Sequence, residues 1–294
     1  MKITVLAAPK KFIGHTKLIQ DNAINSWIKI FGKENICLFG DEETRENSTK
    51  KGVFYEKPET NEKNLPLINS IFEIARDKFT SDYFLYINSD IIILSNFIKT
   101  FNQCNNKFDN GFFLIGRRTD LNIENLIDFS EDKIEESLIL ESSKSGKLSE
   151  VTSIDYFLFP HNNFKTIPPL RIGRAGYDNL LIYWAKKYEK IPIIDGTENI
   201  LAIHQKHDYK HVSGGKNEVY EGKEAMENIK MSGGADKLFF ITESDYKVKD
   251  QKIIKNNGWR YYLSKRYLFN VLPALHPFFY PLVLFKNSIK YIKK

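Results

Sequence analysis

"KITVLAAP", residues 2–9, is a short β-branched and aliphatic run that ends in small residues and a proline, the pattern of a buried strand running into a loop. A different period follows it. From about Thr16 to Phe31, Leu18, Ile19, Ala23, Ile24, Trp27 and Ile30 recur at helical spacing, and "NICLFG" (35–40) then reads as a second strand ending at Gly40 and Asp41. Strand, helix and strand in this order make the two strands parallel neighbours, joined by a right-handed crossover. The polar connecting stretch "DEETRENSTKKG" (41–52) leads to a third short strand, "VFYEK" (53–57). Ile68, Ile71, Phe72 and Ala75 then mark a helix between about Leu65 and Phe79. The expected fold class is α/β, with a mostly parallel twisted sheet flanked by helices and ligands at the carboxyl ends of its strands.

Beyond this entry, "GFFLIGRR" and "SIDYFLFP" read as strands, "YDNLLIYWAKKY" as a helix, and "IPIIDG" and "ENILAIHQ" as strands again. The charged stretch from Ile123 to Val151 is loosely periodic and reads as an insertion over the site or on the surface. With no internal repeat or low-complexity linker, residues 1–250 form one catalytic-sized domain and 251–294 an appendage. That appendage mixes aromatics, aliphatics and Lys/Arg, and Pro273, Pro277 and Pro281 prevent one continuous helix. Its composition suits a headgroup surface, and equally a terminal subdomain packed on the core.

The chain is 42% hydrophobic with a formal charge of +6, which suits a packed globular protein and excludes an intrinsically disordered one. No apolar stretch reaches membrane-spanning length, and "MKITVLAAPKK" becomes charged too soon for a secretory signal, so cytoplasmic residence is expected, at the inner face of a membrane if the C-terminus docks there. Cys37 and Cys104 are too few for a disulfide framework or a cysteine zinc site and are expected in the core.

One stretch breaks the apolar pattern of its strand. In "DYFLYINSDIIIL" (82–94) the polar Asn88, Ser89 and Asp90 interrupt two apolar runs, which delivers a carboxylate to the carboxyl end of the sheet. Hard divalent cations such as Mg²⁺ take one or two carboxylates together with substrate phosphates. The plainer reading is a turn, or a cap for a helix near Ser95. A second cluster, "IHQKHDYKH", carries His204, His207 and His211, whose imidazoles can ligate Mn²⁺ or Zn²⁺. His204 follows a strand alternation that turns it toward the same end as Asp90. His207 and His211 are four apart and fit either a loop or a separate zinc site.

By element order from Met1 to about His211, the β-α-β entry, the central "YINSD" and the distal histidine together resemble the nucleotide-sugar glycosyltransferases of the GT-A fold. The DxD-type motif of that family would here be Asn88-Ser89-Asp90, with an amide in place of the first acid. The resemblance implies that Asp90 and His204 hold a divalent cation, Mn²⁺ or Mg²⁺, on the diphosphate of a nucleotide-sugar donor. It further implies that Ala7, Ala8 and Pro9 lie along base and ribose, that Asp41 contacts the nucleoside, and that Asn88 and Ser89 border the donor. Arg117, Arg118 and Arg174 are the candidate phosphate ligands, since guanidinium pairs bidentately with phosphate. Asp178, near the start of the "YDNLLIYW" helix, is either an acid stabilised by the helix dipole or the general base that inverting transfer requires; Asp155 is the second candidate for that base. The acceptor would be a hydroxyl of a glycan or lipid-linked glycan.

Two other functions fit part of the pattern. Sugar-1-phosphate nucleotidyltransferases share the nucleotide-binding sheet, but the loop after the first strand, "AAPKKFIGH", has Lys10 and Lys11 with too few glycines. A non-enzymatic carbohydrate- or nucleic-acid-binding protein would use the positive charge. It would leave an acid and histidines at one strand edge unexplained, so nucleic acid is not an expected partner.

Overall fold

The computed structural model describes residues 1–207 and 215–256. His211 and the aromatic, basic segment from Trp259 lie outside the described residues. The chain opens as its periodicity predicts. β1 (Ile3–Ala7) leads into α1 (Gly14–Phe31), and β2 (Ile36–Phe39) pairs parallel to β1. β3 (Phe54–Glu56) then pairs parallel to β2. Between them the stretch expected to be a polar connection is a helix, α2 (Glu42–Lys51). Its apolar stripe is missing, but its ends are marked. Asp41 caps it by accepting the Thr44 amide at 3.2 Å, Glu42 and Glu43 fill the first turn, Lys50 and Lys51 the last, and Gly52 closes it in the left-handed region. Capping and charge–dipole matching hold this helix without an apolar face.

Next come α3 (Ile68–Lys78), β4 (Tyr83–Ile87), β5 (Ile91–Ile93), α4 (Asn96–Asn105) and β6 (Phe113–Leu121). The charged insertion supplies α5 (Ile134–Ser145) and β7 (Lys147–Leu148), the latter pairing with β6. Leu138 on α5 joins Ile92, Leu121, Ile123, Phe129 and Ile203 in a small separate core, so the helical part of the insertion is a surface layer. β8 (Ile154–Pro160), α6 (Tyr177–Trp184), β9 (Ile193–Asp195) and β10 (Ala202–Gln205) follow. α7 (Gly215–Glu221) and α8 (Lys223–Met231) precede a hairpin of β11 (Tyr246–Lys249) and β12 (Lys252–Lys255), which spans the expected boundary at 250.

The main sheet runs β12-β11-β9-β6-β8-β4-β1-β2-β3. Successive residues of each strand feed opposite layers, as a sheet covered on both faces requires. On one face Leu6, Phe39, Phe84, Tyr86, Phe157 and Phe159 pack against α3 and α6. On the other, Val5, Leu38, Leu85 and Leu158 pack against α1 and α4. Cys37 and Cys104 are buried free thiols in these layers, as expected. Among the described residues no helix is long and apolar enough to cross a membrane.

Two strand placements build the site. β8 is antiparallel between β4 and β6, so its first residues lie at the same edge as the carboxyl ends of those strands, with Ile87 opposite Tyr156 and Arg117 opposite Ile154. After the polar break β5 leaves the main sheet and pairs antiparallel with β10, which also runs parallel to β6; His204 thereby stands opposite both Ile91 and Asp120. Trp27 of α1 fastens this side sheet, its indole N–H donating to the Ile91 carbonyl at 2.9 Å from a fully buried position. Trp27→Ala is expected to lower the unfolding free energy by about 3–5 kcal/mol in urea titration, the usual cost of deleting a buried large aromatic.

Candidate active site

Asn88-Ser89-Asp90 forms a tight turn, closed by the Ile91 amide on the Asn88 carbonyl at 3.1 Å. The turn opens into a large cleft of about 2060 Å³ at the strand carboxyl ends, lined among others by Ala8, Pro9, Lys10, Arg118, Asp155, Arg174, Asp178, His204 and His207.

Asp90 is 6% exposed. Lys10 Nζ lies 3.2 Å and His207 Nε2 3.1 Å from its Oδ2, and ligand atoms of Asp90, His204 and His207 all fall within 4.8 Å of one another. Burial alone would raise the Asp90 pKa, but Lys10, the His207 hydrogen bond and the His204 ring outweigh it and hold the carboxyl well below its ordinary value. The other oxygen, Oδ1, is buried and has no hydrogen-bond partner among the described residues. An orphaned carboxylate oxygen beside two imidazoles is a donor set that fits a divalent cation such as Mn²⁺. His204 is also oriented as such a ligand would be. Its Nδ1 lies 2.8 Å from Asp120 Oδ1, a contact that fixes the ring and its tautomer.

The amide at position 88 has a structural reason. Asn88 Nδ2 donates to Asp155 Oδ1 at 2.6 Å, and its Oδ1 accepts the Tyr177 hydroxyl at 2.8 Å. A carboxylate here would face Asp155 without a donor. Asp155 is in turn held by Arg118, whose Nη1 reaches both its oxygens at 2.9–3.0 Å, while Arg118 Nε donates to Asp120 at 3.2 Å. Burial opposes the Arg118 charge, but Asp155, Asp90 and Asp120 outweigh it and push its pKa up.

Asp178 sits in a different environment. Gly176 enters α6 at φ 100°, a conformation suited to glycine, and brings Asp178 into the first turn at the cleft. The carboxylate keeps part of its surface open to the cleft, is otherwise packed round by protein, and accepts the Asn179 amide at 2.9 Å. It makes no ion pair among the described residues. Burial, with Asp155 adding like charge, raises its pKa to about 7.

The other expected site residues divide. Ala8, Pro9, Ser89 and Arg174 line the cleft, and the Arg174 Nε is buried without a partner among the described residues. Ala7 is fully buried in β1, and Asp41 is the cap of α2; neither lines the cleft. Arg117 turns its guanidinium to the Ser149 carbonyl, and of the arginine pair only Arg118 faces the cleft. Two cleft-building residues carry no strong mark in the sequence. Gln20, buried on α1, accepts the Lys10 amide at 2.6 Å and the Ser89 hydroxyl at 3.0 Å through one oxygen, and Asp120 orients His204.

No family model and no curated protein sequence matches the chain. Among solved structures, S. aureus TarS (residues 1–349) aligns at 14% identity over 44% of this chain and 39% of that one, with a TM-score of 0.32. A cytidylyltransferase from Leptospira borgpetersenii aligns at 15% identity over 67% and 76% of the two chains, with a TM-score of 0.43. Mannose-1-phosphate geranyltransferase from Thermus thermophilus aligns at 10% identity over 55% and 58%, with a TM-score of 0.33. The matched region thus spans about two fifths of TarS residues 1–349 and 24% of the longer S. aureus TarS chain. Likeness of this degree carries nothing about activity, which is argued from the residues of the cleft.

Asn88→Asp would set two carboxylates within hydrogen-bonding distance, which cannot both ionise at little cost. It should destabilise the protein by about 1–3 kcal/mol in urea titration at pH 8, with the loss shrinking toward pH 4 as a retained proton restores the donor. Asp178 carries the opposite linkage from a paired acid. Its folded-state pKa lies above the ordinary 3.8, so the native protein holds a proton that the unfolded chain releases, and stability falls as pH rises from about 4 to about 7. Asp178→Asn should remove this slope. Relative to wild type the variant gains about 2–4 kcal/mol between pH 4 and pH 8, the cleft-side exposure trimming the full effect.

Proposed function

We propose that the protein is a metal-assisted glycosyltransferase that moves a sugar from a nucleotide-sugar donor to a hydroxyl of a glycan or lipid-linked glycan with inversion. The observation that carries this reading is the opposed character of two acids in one cleft. Asp90 is kept ionised by Lys10 and its histidine neighbours, whereas Asp178 has no ion partner among the described residues and burial raises its pKa to about 7, which suits a proton acceptor. Acid pairs separated in this way point to distinct roles at one reacting centre.

Asp90, His204 and His207 would hold the divalent cation, Mn²⁺ or Mg²⁺. When bound, the cation supplies electrostatic stabilisation to the leaving diphosphate. Arg174, whose Nε has no partner among the described residues, and Arg118 at the cleft wall are the side chains for phosphate oxygens. Asp155 serves Arg118 and Asn88 rather than the acceptor. Asp178 takes the acceptor hydroxyl proton as the new C–O bond forms at the anomeric carbon; the bond to the diphosphate breaks, and its electron pair leaves with the nucleoside diphosphate. Ala8 and Pro9 border the nucleoside side of the cleft. A membrane-bound acceptor would agree with the basic aromatic C-terminus and with a protein working at the cytoplasmic face in polysaccharide biosynthesis.

Lys10 and Lys11 on the cleft wall favour one rival, sugar-1-phosphate nucleotidyl transfer. That reaction uses a phosphate nucleophile and has no need of a base of neutral pKa, and it releases pyrophosphate. Two incubations with Mn²⁺, one of sugar nucleotide with a glycan acceptor and one of nucleoside triphosphate with sugar phosphate, with the products resolved chromatographically, separate the two: nucleoside diphosphate with extended acceptor supports glycosyl transfer, and pyrophosphate from the second mixture overturns it. The transfer rate should rise with pH through about 7 and then level. Asp178→Asn should retain donor binding in a thermal-shift assay while losing about 10²–10⁴-fold in rate.

A further inference from the structure

Lys10 stands where a metal ion would. Its Nζ lies 3.2 Å from Asp90 Oδ2 and 3.2 Å from His207 Nε2, so the ammonium sits against two of the three groups that would ligate a cation. The position follows from the fold. Gln20, fully buried on α1, accepts the Lys10 amide at 2.6 Å and donates to the Lys10 carbonyl at 3.0 Å, and the same Gln20 oxygen accepts Ser89 from the Asp90 turn. One side chain therefore locks the loop after β1 to the turn after β4. The lysine side chain is 32% exposed against 8% for that of Asp90, which leaves it a path into the cleft while the carboxylate stays in place.

A buried carboxylate needs a compensating cation, and a divalent ion brought onto Asp90, even at its unpartnered Oδ1, would stand within a few ångströms of the ammonium on Oδ2 and be strongly repelled by it. We propose that the Lys10 ammonium is the resident cation of this site in the metal-free protein, and that a divalent cation binds by exchanging with it at Asp90. This rests on the metal-assisted reading above. Lys10 is then a positioning residue that sets metal affinity, and the ammonium freed by exchange stays in the cleft as a ligand for anionic oxygens.

The test uses Mn²⁺ alone, without nucleotide, followed by calorimetry and by loss of the free Mn²⁺ paramagnetic signal. Lys10→Met and Lys10→Gln, two neutral replacements, should bind Mn²⁺ about tenfold or more tightly than wild type. Lys10→Arg, which keeps the charge, should not gain, and Asp90→Asn should abolish binding in every background. Mn²⁺ should also raise the Tm of the neutral variants by more than that of wild type. Binding by the neutral variants equal to or weaker than wild type overturns the exchange and leaves the metal site standing. Absence of Mn²⁺ binding in both wild type and the neutral variants overturns the metal site and the exchange together.

Discussion

A carboxylate withdrawn from water must be matched by positive charge or by hydrogen-bond donors, and Asp90 imposes that requirement on the whole sheet edge. Its matching groups come from separate segments: Lys10 from the loop after β1, His204 from β10, and His207 just beyond it. They meet because β5 turns out of the main sheet to pair with β10, and because β10 runs beside β6. Without that side sheet the acid would stand at a strand end with no reason to be buried. The indole of Trp27 on the Ile91 carbonyl and the Gln205 side chain on the Asp90 carbonyl, at 2.9 and 3.2 Å, hold the backbone on either side of the carboxylate.

Burial acts on the second acid of the cleft in the same sense but with the opposite outcome. Asp178 has no described ion partner, and desolvation lifts it toward neutrality, while Asp155 a short way off is neutralised by Arg118. Removal of water is outweighed at Asp90 and dominant at Asp178; what differs is the company each acid keeps. Tyr177, next to Asp178, and Asn88, two residues before Asp90, join in a chain that ends on Asp155: the hydroxyl donates to the amide and the amide to Asp155. This polar chain explains why an amide rather than an acid stands at position 88.

A row of polar side chains on α1 carries much of this organisation. Gln20 and Asn22 are fully buried. Asn22 donates to Gln205 at 2.9 Å and to the Asn125 carbonyl at 3.0 Å, and it accepts the Ile127 amide at 2.8 Å. Gln205 in turn donates to the Ile19 carbonyl at 2.7 Å. Each of these amides is satisfied at both ends, the condition under which buried polar groups rigidify a site rather than weaken it. α1 thus packs an apolar face on the sheet and a polar face on the edge that carries Asp90.

Local pattern in the sequence was enough for the β-α-β entry, for the strands that carry Asp90, Asp155 and His204, and for the helix that carries Asp178, because period and punctuation act between near neighbours. α2 was missed, because its lack of an apolar stripe left only the end signals of Asp41, the paired acids, the paired lysines and Gly52, and the stretch reads as a polar connection. Only the tertiary structure decided which side chains meet. It set Asp41 on a helix cap and Arg117 on a carbonyl, both off the cleft, brought His207 and Lys10 onto Asp90, and made a buried clamp of Gln20 and Asn22 on α1. The reason is physical: a charge or an amide in a sequence has no environment until distant segments enclose it, and that enclosure fixes whether it is solvated, paired or left to titrate.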